Sequence, residues 1–364
     1  MKHKPFKDLK VLELSSVLAG PLAGSFFAEG CAEVLKVEHP VSGDVTRSWR
    51  TKGESSDSPI SAYYASANTY KNVVRKDLRS EEGRFWLEEQ LASTDLLIEN
   101  FKLADLEKFN LSPKSVASRH PHLVHIRLVG FASQPERLAY DVVVQAETGF
   151  MHMNGDPSSD PTRMPVALMD VLASGQIRSA ALSALYSRER GTTGIYSEVS
   201  LELCGVAALI NRATNYLMNG TEQNRLGSAH PNIAPYGDIL TLKSGRQIVL
   251  AIGNDSQFEG LCKVLDLVHL LATPQFATNA SRVKHRESLL AFLQEKASML
   301  NDVEALMSEL TSNKVPAGII RPLSEVFAPG SAASNHLIEE EISGANRKVV
   351  KPSSIAYSTT VFGK

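Results

Sequence analysis

Cysteine is scarce in this chain. Cys31, Cys204 and Cys262 are the only three among 364 residues, and no two of them stand near each other. That spacing excludes a disulfide framework and offers no CxxC pair to a zinc ion. It fits a reducing compartment, and the expected location is the cytoplasm. An excess of one charge sign is also missing. The 38 basic and 40 acidic residues leave a net charge of −2, whereas a general nucleic-acid binder carries a basic excess. No stretch approaches the unbroken apolar run of a membrane span. The opening MKHKPFKDLKVLELSSVLAG is basic and then apolar, as in a signal peptide. Charges interrupt its apolar part, however, and it reads better as a first strand. GxSxG, the phosphate-binding P-loop and GxGxxG are absent too, and nothing places a Ser/His/Asp triad.

The composition is that of a globular protein, 43% hydrophobic and 21% charged. The length suggests two domains. In the first half, short β-like runs (9–14, 33–38, 95–101, 123–129) alternate with helical stretches (21–31, 80–93). Such βαβ alternation argues for an α/β fold with a parallel sheet covered by helices. Helical patterning resumes from Asp170 to about 190 and again over 201–219, on either side of a strand at 196–200. The polar, turn-rich segment 221–235 reads as a linker. Beyond it, 238–242 and 247–252 flank Lys-Ser-Gly-Arg (243–246), a hairpin signal. Helical segments follow near 255–270, 283–299 and 301–312. The expected division is a large domain over 1–220, completed by 326–364, and a linker plus small α+β domain over 221–325.

Several positions could carry chemistry. The turn SSVLAGPLAG (15–24) leads from the first strand into a helix, and Glu38 ends the second strand. A dinucleotide fold places its phosphate loop and ribose-binding acid there. A proline stands where the backbone would approach a pyrophosphate, so the motif reads as a tight turn with room for some adenine nucleotide. Asp170 lies between an apolar run and a helix. It can cap that helix, or, kept ionised by the helix end, attack an acyl group. Basic residues follow β-like segments: Arg47, Arg50 and Lys52, then Lys71, Arg75 and Lys76, then Lys102. A phosphorylated ligand suits them, as does an ordinary solvated surface. His120, His122 and His125 cluster in sequence, but His122 and His125 face opposite sides of a strand. No acidic partner has metal-ligand spacing, and no metal is expected.

Taken together, these stretches resemble the class III CoA-transferases, the formyl-CoA transferase/carnitine CoA-transferase (CaiB/BaiF-type) family. The likeness runs through VLAGP (17–21), EVLKVEHP (33–40), SGDVTR (42–47), Asn68 with Lys71, Asp77-Leu78, LIENF (97–101), Tyr140-Asp141 with Gln145-Ala146 and Gly149, Asp170, Gly194 with Val199-Ser200, and HPNIAPY (230–236). It covers about residues 8–325. The resemblance implies a Rossmann-like large domain, a smaller α+β domain, and a homodimer whose two chains interlock. It implies that CoA is a substrate, with no tightly bound cofactor. CoA contacts would fall at Leu18, Ala19, His39, Asn68, Lys71, Asn100, Phe101, Lys102, Lys108, Arg137 and Tyr140, lysine and arginine suiting the phosphates. The family nucleophile maps onto Asp170. The implied reaction is a double displacement through an aspartyl anhydride and an aspartyl-CoA thioester.

The pattern also has departures. Relatives that use oxalate carry glutamine where this chain has Leu18, and a glycine-rich loop where it reads GNDSQ (253–257). That argues against formyl-CoA/oxalate exchange and for a less polar acyl group. His39 replaces the usual arginine, and Lys102-Leu-Ala replaces Arg-Pro-Gly. The related acyl-CoA racemases, a rival reading, would need a histidine at position 140 as acid and base. Tyr140 is the transferase-like residue, since a phenol is a poor base at neutral pH. A CoA-binding homologue without turnover is a second rival, against which the retained Asp170 argues.

Overall fold

Six short strands, each flanked by helices, build the first unit. The computed structural model describes residues 4–56, 58–341 and 348–362. In chain order these elements are β1 (Lys10–Leu14), α1 (Ala19–Glu29), β2 (Glu33–Glu38), α2 (Ala62–Asn68), β3 (Asn72–Arg75), α3 (Glu81–Ser93), β4 (Leu96–Glu99), α4 (Leu103–Lys108), α5 (Pro113–Arg119), β5 (Val124–Val129), α6 (Asp141–Glu147), α7 (Phe150–Met153), α8 (Leu168–Arg188), β6 (Tyr196–Ser200), α9 (Leu201–Ala208) and α10 (Ile210–Asn219). All neighbouring strands pair in parallel, in the order β3-β2-β1-β4-β5-β6. This is the doubly wound, Rossmann-like order, and its direction reverses between β1 and β4.

The central strands β1, β4 and β5 are buried on both faces, which explains their largely apolar make-up. Alternate residues divide between two cores. Val11, Ile98 and Ile126 pack with Phe26 and Phe27 of α1 and with Ala173, Ile177 and Ala181 of α8. Leu12 and Leu97 point the other way, against Leu87 and Leu91 of α3, Leu106 of α4 and Val116 of α5. Ser80 caps α3, its hydroxyl accepting the Gly83 N–H at 3.0 Å. The helix expected from residue 21 begins two residues earlier, at Ala19, with Pro21 inside its first turn. Proline is tolerated there because that turn's N–H groups have no intrahelical partner.

The second unit comprises β7 (Tyr236–Thr241), β8 (Gln247–Ala251), α11 (Asp255–Val264), α12 (Asn279–Lys284), α13 (Arg286–Ala297), α14 (Val303–Ser312), β9 (Ala317–Ile319) and α15 (Leu323–Val326). β7 and β8 form the antiparallel hairpin read from the sequence, and β9 adds a third strand. The chain then returns to the first unit through the hairpin β10 (Leu337–Glu341) and β11 (Lys348–Pro352). There Lys351 pairs with Glu29 of α1 at 2.7 Å.

Among the described residues, the first unit holds those up to Phe150, Arg163–Thr221 and those from Ala332 on; the second holds Met151–Thr162 and Glu222–Ser331. The sequence reading kept 151–162 with the large domain, but these residues cluster with the second unit. Asn154 Nδ2 donates to the Thr162 carbonyl (2.8 Å) and Gly227 N–H to the Gly155 carbonyl (2.9 Å). Residues 326–331, expected in the closing segment, also fall in the second unit, and 342–347 and 363–364 lie outside the described residues.

Candidate active site

The strand-order reversal leaves a crevice where the loops after β1 and β4 part, the usual ligand position in such sheets. A cavity of ≈ 520 Å³ lies there, lined by Ser15, Ser16, Glu38, His39, Gly43, Asp44, Lys76, Asp77, Arg79, Asn100, Phe101 and Lys102, among others. Asn100 bridges the crevice. Its side chain accepts the Ser16 N–H (3.1 Å) and donates to the Ser16 carbonyl (3.2 Å). His39 Nδ1 accepts the N–H groups of Val41 and Ser42 (3.3 and 3.2 Å), which fixes the turn after β2. Lys76, Arg79 and Lys102 bring three cations to the cavity. Lys102 has no ion-pair partner among the described residues, whereas Arg79 pairs with Asp77 (3.0 Å).

Beneath the crevice lies a buried charged network. Lys36 Nζ reaches Glu13 (2.9 Å), Asp44 (3.2 Å) and the Ser15 carbonyl (2.9 Å). Burial alone would strip its proton, but the two carboxylates more than offset this and its pKa ends raised. Glu38 accepts Arg47 through both oxygens (2.7 and 2.9 Å) and the Tyr64 hydroxyl (2.7 Å). Asp44 also accepts the Val17 N–H at 3.3 Å. Val17 has φ +74°, a conformation that a β-branched residue adopts only under constraint.

The network changes the reading of two expected CoA contacts. Lys71 Nζ has no solvent exposure; it reaches Glu13 (2.7 Å), the Pro21 carbonyl (2.7 Å) and Asn68 Oδ1 (3.1 Å). Burial pushes its pKa down to about 7, although Glu13 resists the shift. Asn68 is itself buried and donates to the Tyr64 carbonyl at 2.8 Å. Neither side chain lines the cavity.

Asp170 sits in the first turn of α8, 9% exposed. It does not cap the helix: Ala167 holds the cap position, without a side-chain hydrogen bond. The carboxylate serving this helix end belongs to Asp141 of α6, which accepts the Met169 N–H at 2.7 Å. Gln145 completes the dock, donating to Asp141 (2.6 Å) and accepting the Met164 N–H (2.8 Å). Among the described residues nothing donates to Asp170. Burial, then the charge of Asp141, raise its pKa to about 7. Burial and a neighbouring anion oppose the ionised form that the helix end was expected to favour.

Tyr63 of α2 joins the two regions. Burial and the charges of Asp170, Asp141 and Asp44 raise its phenol pKa, so the ring lies within electrostatic reach of all three. Its ring meets Trp49 edge-on at 5.1 Å.

Of the expected contacts, His39, Asn100, Phe101 and Lys102 line the cavity together. Leu18 and Ala19 open α1 just after Ser15 and Ser16. Lys108 pairs with Asp105 (3.3 Å), and Arg137 holds Glu147 while covering the Phe131 ring at 4.1 Å. Tyr140 precedes α6 with its side chain exposed. Lys108, Arg137 and Tyr140 do not line this cavity. The sequence reading named Lys76 only within a scattered basic set and missed Arg79 and Tyr63. Lys76 and Arg79 directly follow β3, a four-residue strand with little burial and hence little signal. Among the described residues no group of three or more His, Cys, Asp or Glu could hold a metal ion, and no helix is long and apolar enough to cross a membrane.

The sequence profile of CoA-transferase family III matches residues 6–360. The chain belongs to this family. The succinate–glutarate CoA-transferase of Agrobacterium fabrum is 34% identical over 333 residues, 90% of this chain and 82% of that one. The succinyl-CoA:glutarate CoA-transferase of Homo sapiens is 32% identical over 344 residues, covering 93% and 76%. A CaiB/BaiF family protein from Brucella suis superposes with a TM-score of 0.80 at 34% identity, covering 99% of this chain and 97% of that one. The large unit is thus the Rossmann-like domain of a family III enzyme.

Proposed function

We propose that this family III enzyme moves CoA from an acyl-CoA to a carboxylic acid through covalent intermediates on Asp170. The observation that carries the reading is the Asp170 carboxylate itself: buried, without a donor among the described residues, and next to a carboxylate already engaged by α8. A desolvated carboxylate without hydrogen bonds is a stronger nucleophile than a solvated one. Its oxygen attacks the thioester carbon, the C–S bond breaks, and CoA leaves as thiolate. The thiolate then attacks the aspartyl carbonyl, expels the donor acid as carboxylate and leaves an aspartyl-CoA thioester. The acceptor carboxylate attacks this thioester, freeing thiolate and forming a second anhydride. Thiolate takes the new acyl group, and Asp170 is restored as carboxylate.

The cavity at the β1/β4 crevice would take the nucleotide end of CoA, with Lys76, Arg79 and Lys102 toward its phosphates. The two named relatives act, by their names, on succinyl and glutaryl groups or their acids, which favours a dicarboxylic acid as acceptor. A homodimer is part of the reading. It is supported by α10, whose Ile210, Leu217 and Met218 are 72%, 78% and 77% exposed, a surface suited to cover by a second copy.

Trapping tests the mechanism. Protein mixed with succinyl-CoA and glutarate, then quenched with hydroxylamine, is expected to carry a hydroxamate on the Asp170 peptide by mass spectrometry. Turnover without that adduct, and with solvent deuterium entering the acyl α-carbon, would favour the racemase reading. Tyr140→Phe is expected to lower kcat by less than about tenfold, because the hydroxyl only positions substrate; a loss matching that of Asp170→Ala would restore an acid–base role. Asp141→Asn keeps an oxygen for the Met169 N–H but removes the anion beside Asp170. The acidic limb of kcat/KM, expected near pH 7, should move down by roughly one pH unit. An unmoved limb would assign it to another group.

A further inference from the structure

Across β4, β5 and β6, a row of charged side chains lies where a sheet core is ordinarily apolar. Glu99, Arg127 and Glu198 are register partners, and Leu97, His125 and Tyr196 form the next row on the same face. Glu99, Arg127 and His125 are buried. His125 Nε2 and Arg127 Nε lie 3.2 and 3.7 Å from Glu99 Oε1. Arg127 reaches Glu198 at 3.2 Å, and Tyr196 donates its hydroxyl to the same oxygen at 2.9 Å.

The row is a poor device for stability. His125 Nδ1 and Arg127 Nε lack hydrogen-bond partners among the described residues. Buried ion pairs often do no better than apolar residues of equal size, and an incompletely satisfied network does worse. What the row does achieve lies at its upper end. Glu99 Oε2 accepts the Phe101 N–H at 2.8 Å, while Arg127 donates to the Phe101 carbonyl at 3.3 Å. Both backbone polar groups of one residue are thus gripped by buried, opposite charges. Phe101 and Lys102 form one wall of the cavity, and the Phe101 ring meets Phe109, another lining residue, edge-on at 5.1 Å.

We propose that Glu99 and Arg127 are positioning residues for CoA: they clamp the Phe101 backbone so that the Phe101–Lys102 wall stands ready before the nucleotide arrives. The inference rests on reading this cavity as the CoA site. A preset wall lowers the ordering cost of binding and leaves chemistry at Asp170 untouched.

The test uses the full chain, with calorimetric titration by CoA and steady-state kinetics on succinyl-CoA and glutarate. Arg127→Met is expected to raise the Kd for CoA and the KM for succinyl-CoA together by about tenfold, with kcat within about twofold. Glu99→Gln keeps an oxygen for the Phe101 N–H and should raise them by only about threefold. Tyr196→Phe disturbs the same row without touching Phe101 and should change neither. Wild-type Kd in Arg127→Met, or kcat falling alone, would overturn the clamp, as would equal weakening by Tyr196→Phe. If Arg127→Met does not fold, Glu99→Gln against Tyr196→Phe decides, and equal values in the two sink the proposal. Failure of the underlying reading looks different: the wild-type protein itself would then bind no CoA.

Discussion

Asp170→Asn is expected to abolish CoA exchange while making the folded chain more stable above pH 7. The first half follows from chemistry: a carboxamide cannot form the anhydride, and loss of a covalent nucleophile removes several powers of ten in kcat. The second follows from linkage. Asp170 titrates near 7 in the folded chain, against an ordinary value of 3.8. Below about pH 4 both states are protonated and Asp170 costs nothing. As pH rises toward 7 the unfolded chain ionises freely while the folded chain resists, so the folded state loses ground until the folded group has ionised as well. At 1.36 kcal/mol per pH unit the loss is on the order of 4 kcal/mol by pH 8. Asparagine, similar in shape and uncharged, should recover much of it. Urea melts of both proteins at pH 5 and pH 8 check this: the mutant should gain stability at pH 8 and gain less at pH 5. An inactive mutant that is also less stable at pH 8 would mean that Asp170 is held by contacts not described above.

Lys36→Met is expected to destabilise the chain by on the order of 3–5 kcal/mol, the usual result of removing one partner from a buried ion pair. Glu13 would keep Lys71, but Asp44 would lose the ammonium of Lys36, its partner among the described residues, and remain buried with its charge. The raised pKa of Lys36 sets the sign: its contribution is fully present at neutral pH and fades only above the ordinary lysine range. A fall of roughly 5 °C in Tm would accompany the loss. Lys348→Met, which breaks the exposed pair with Glu339, should change stability by less than about 1 kcal/mol. Similar melts for the two mutants would show that the buried network carries no special weight.

The sequence shows most of the sheet but only part of the site. β1, β4 and β5 were legible because buried parallel strands are largely apolar runs with sharp ends. β3 was not, because a short, exposed strand looks like a loop. With β3 went Lys76 and Arg79, which owe their place to following it. Lys71 misled for a different reason. A lysine in the turn before a strand looks the same in sequence whether its ammonium faces a phosphate or Glu13, and only the fold makes that choice. The raised pKa of Asp170 was hidden too, since it depends on burial and then on Asp141, 29 positions earlier in the chain.

The dock between α6 and α8 limits how this enzyme can evolve. One carboxylate, that of Asp141, both holds the start of α8 in place and disfavours the charge on Asp170. Position and acidity of Asp170 are therefore inherited as a pair. Lengthening the side chain to glutamate would press on the Met169 amide, and shortening it would release that amide. A lineage adapting to more acidic surroundings could soften the anion at 141 to asparagine, but has few other steps available there. If Asp170 is the nucleophile, the pH range of exchange would be tied in part to this helix joint, and selection on either property would touch both.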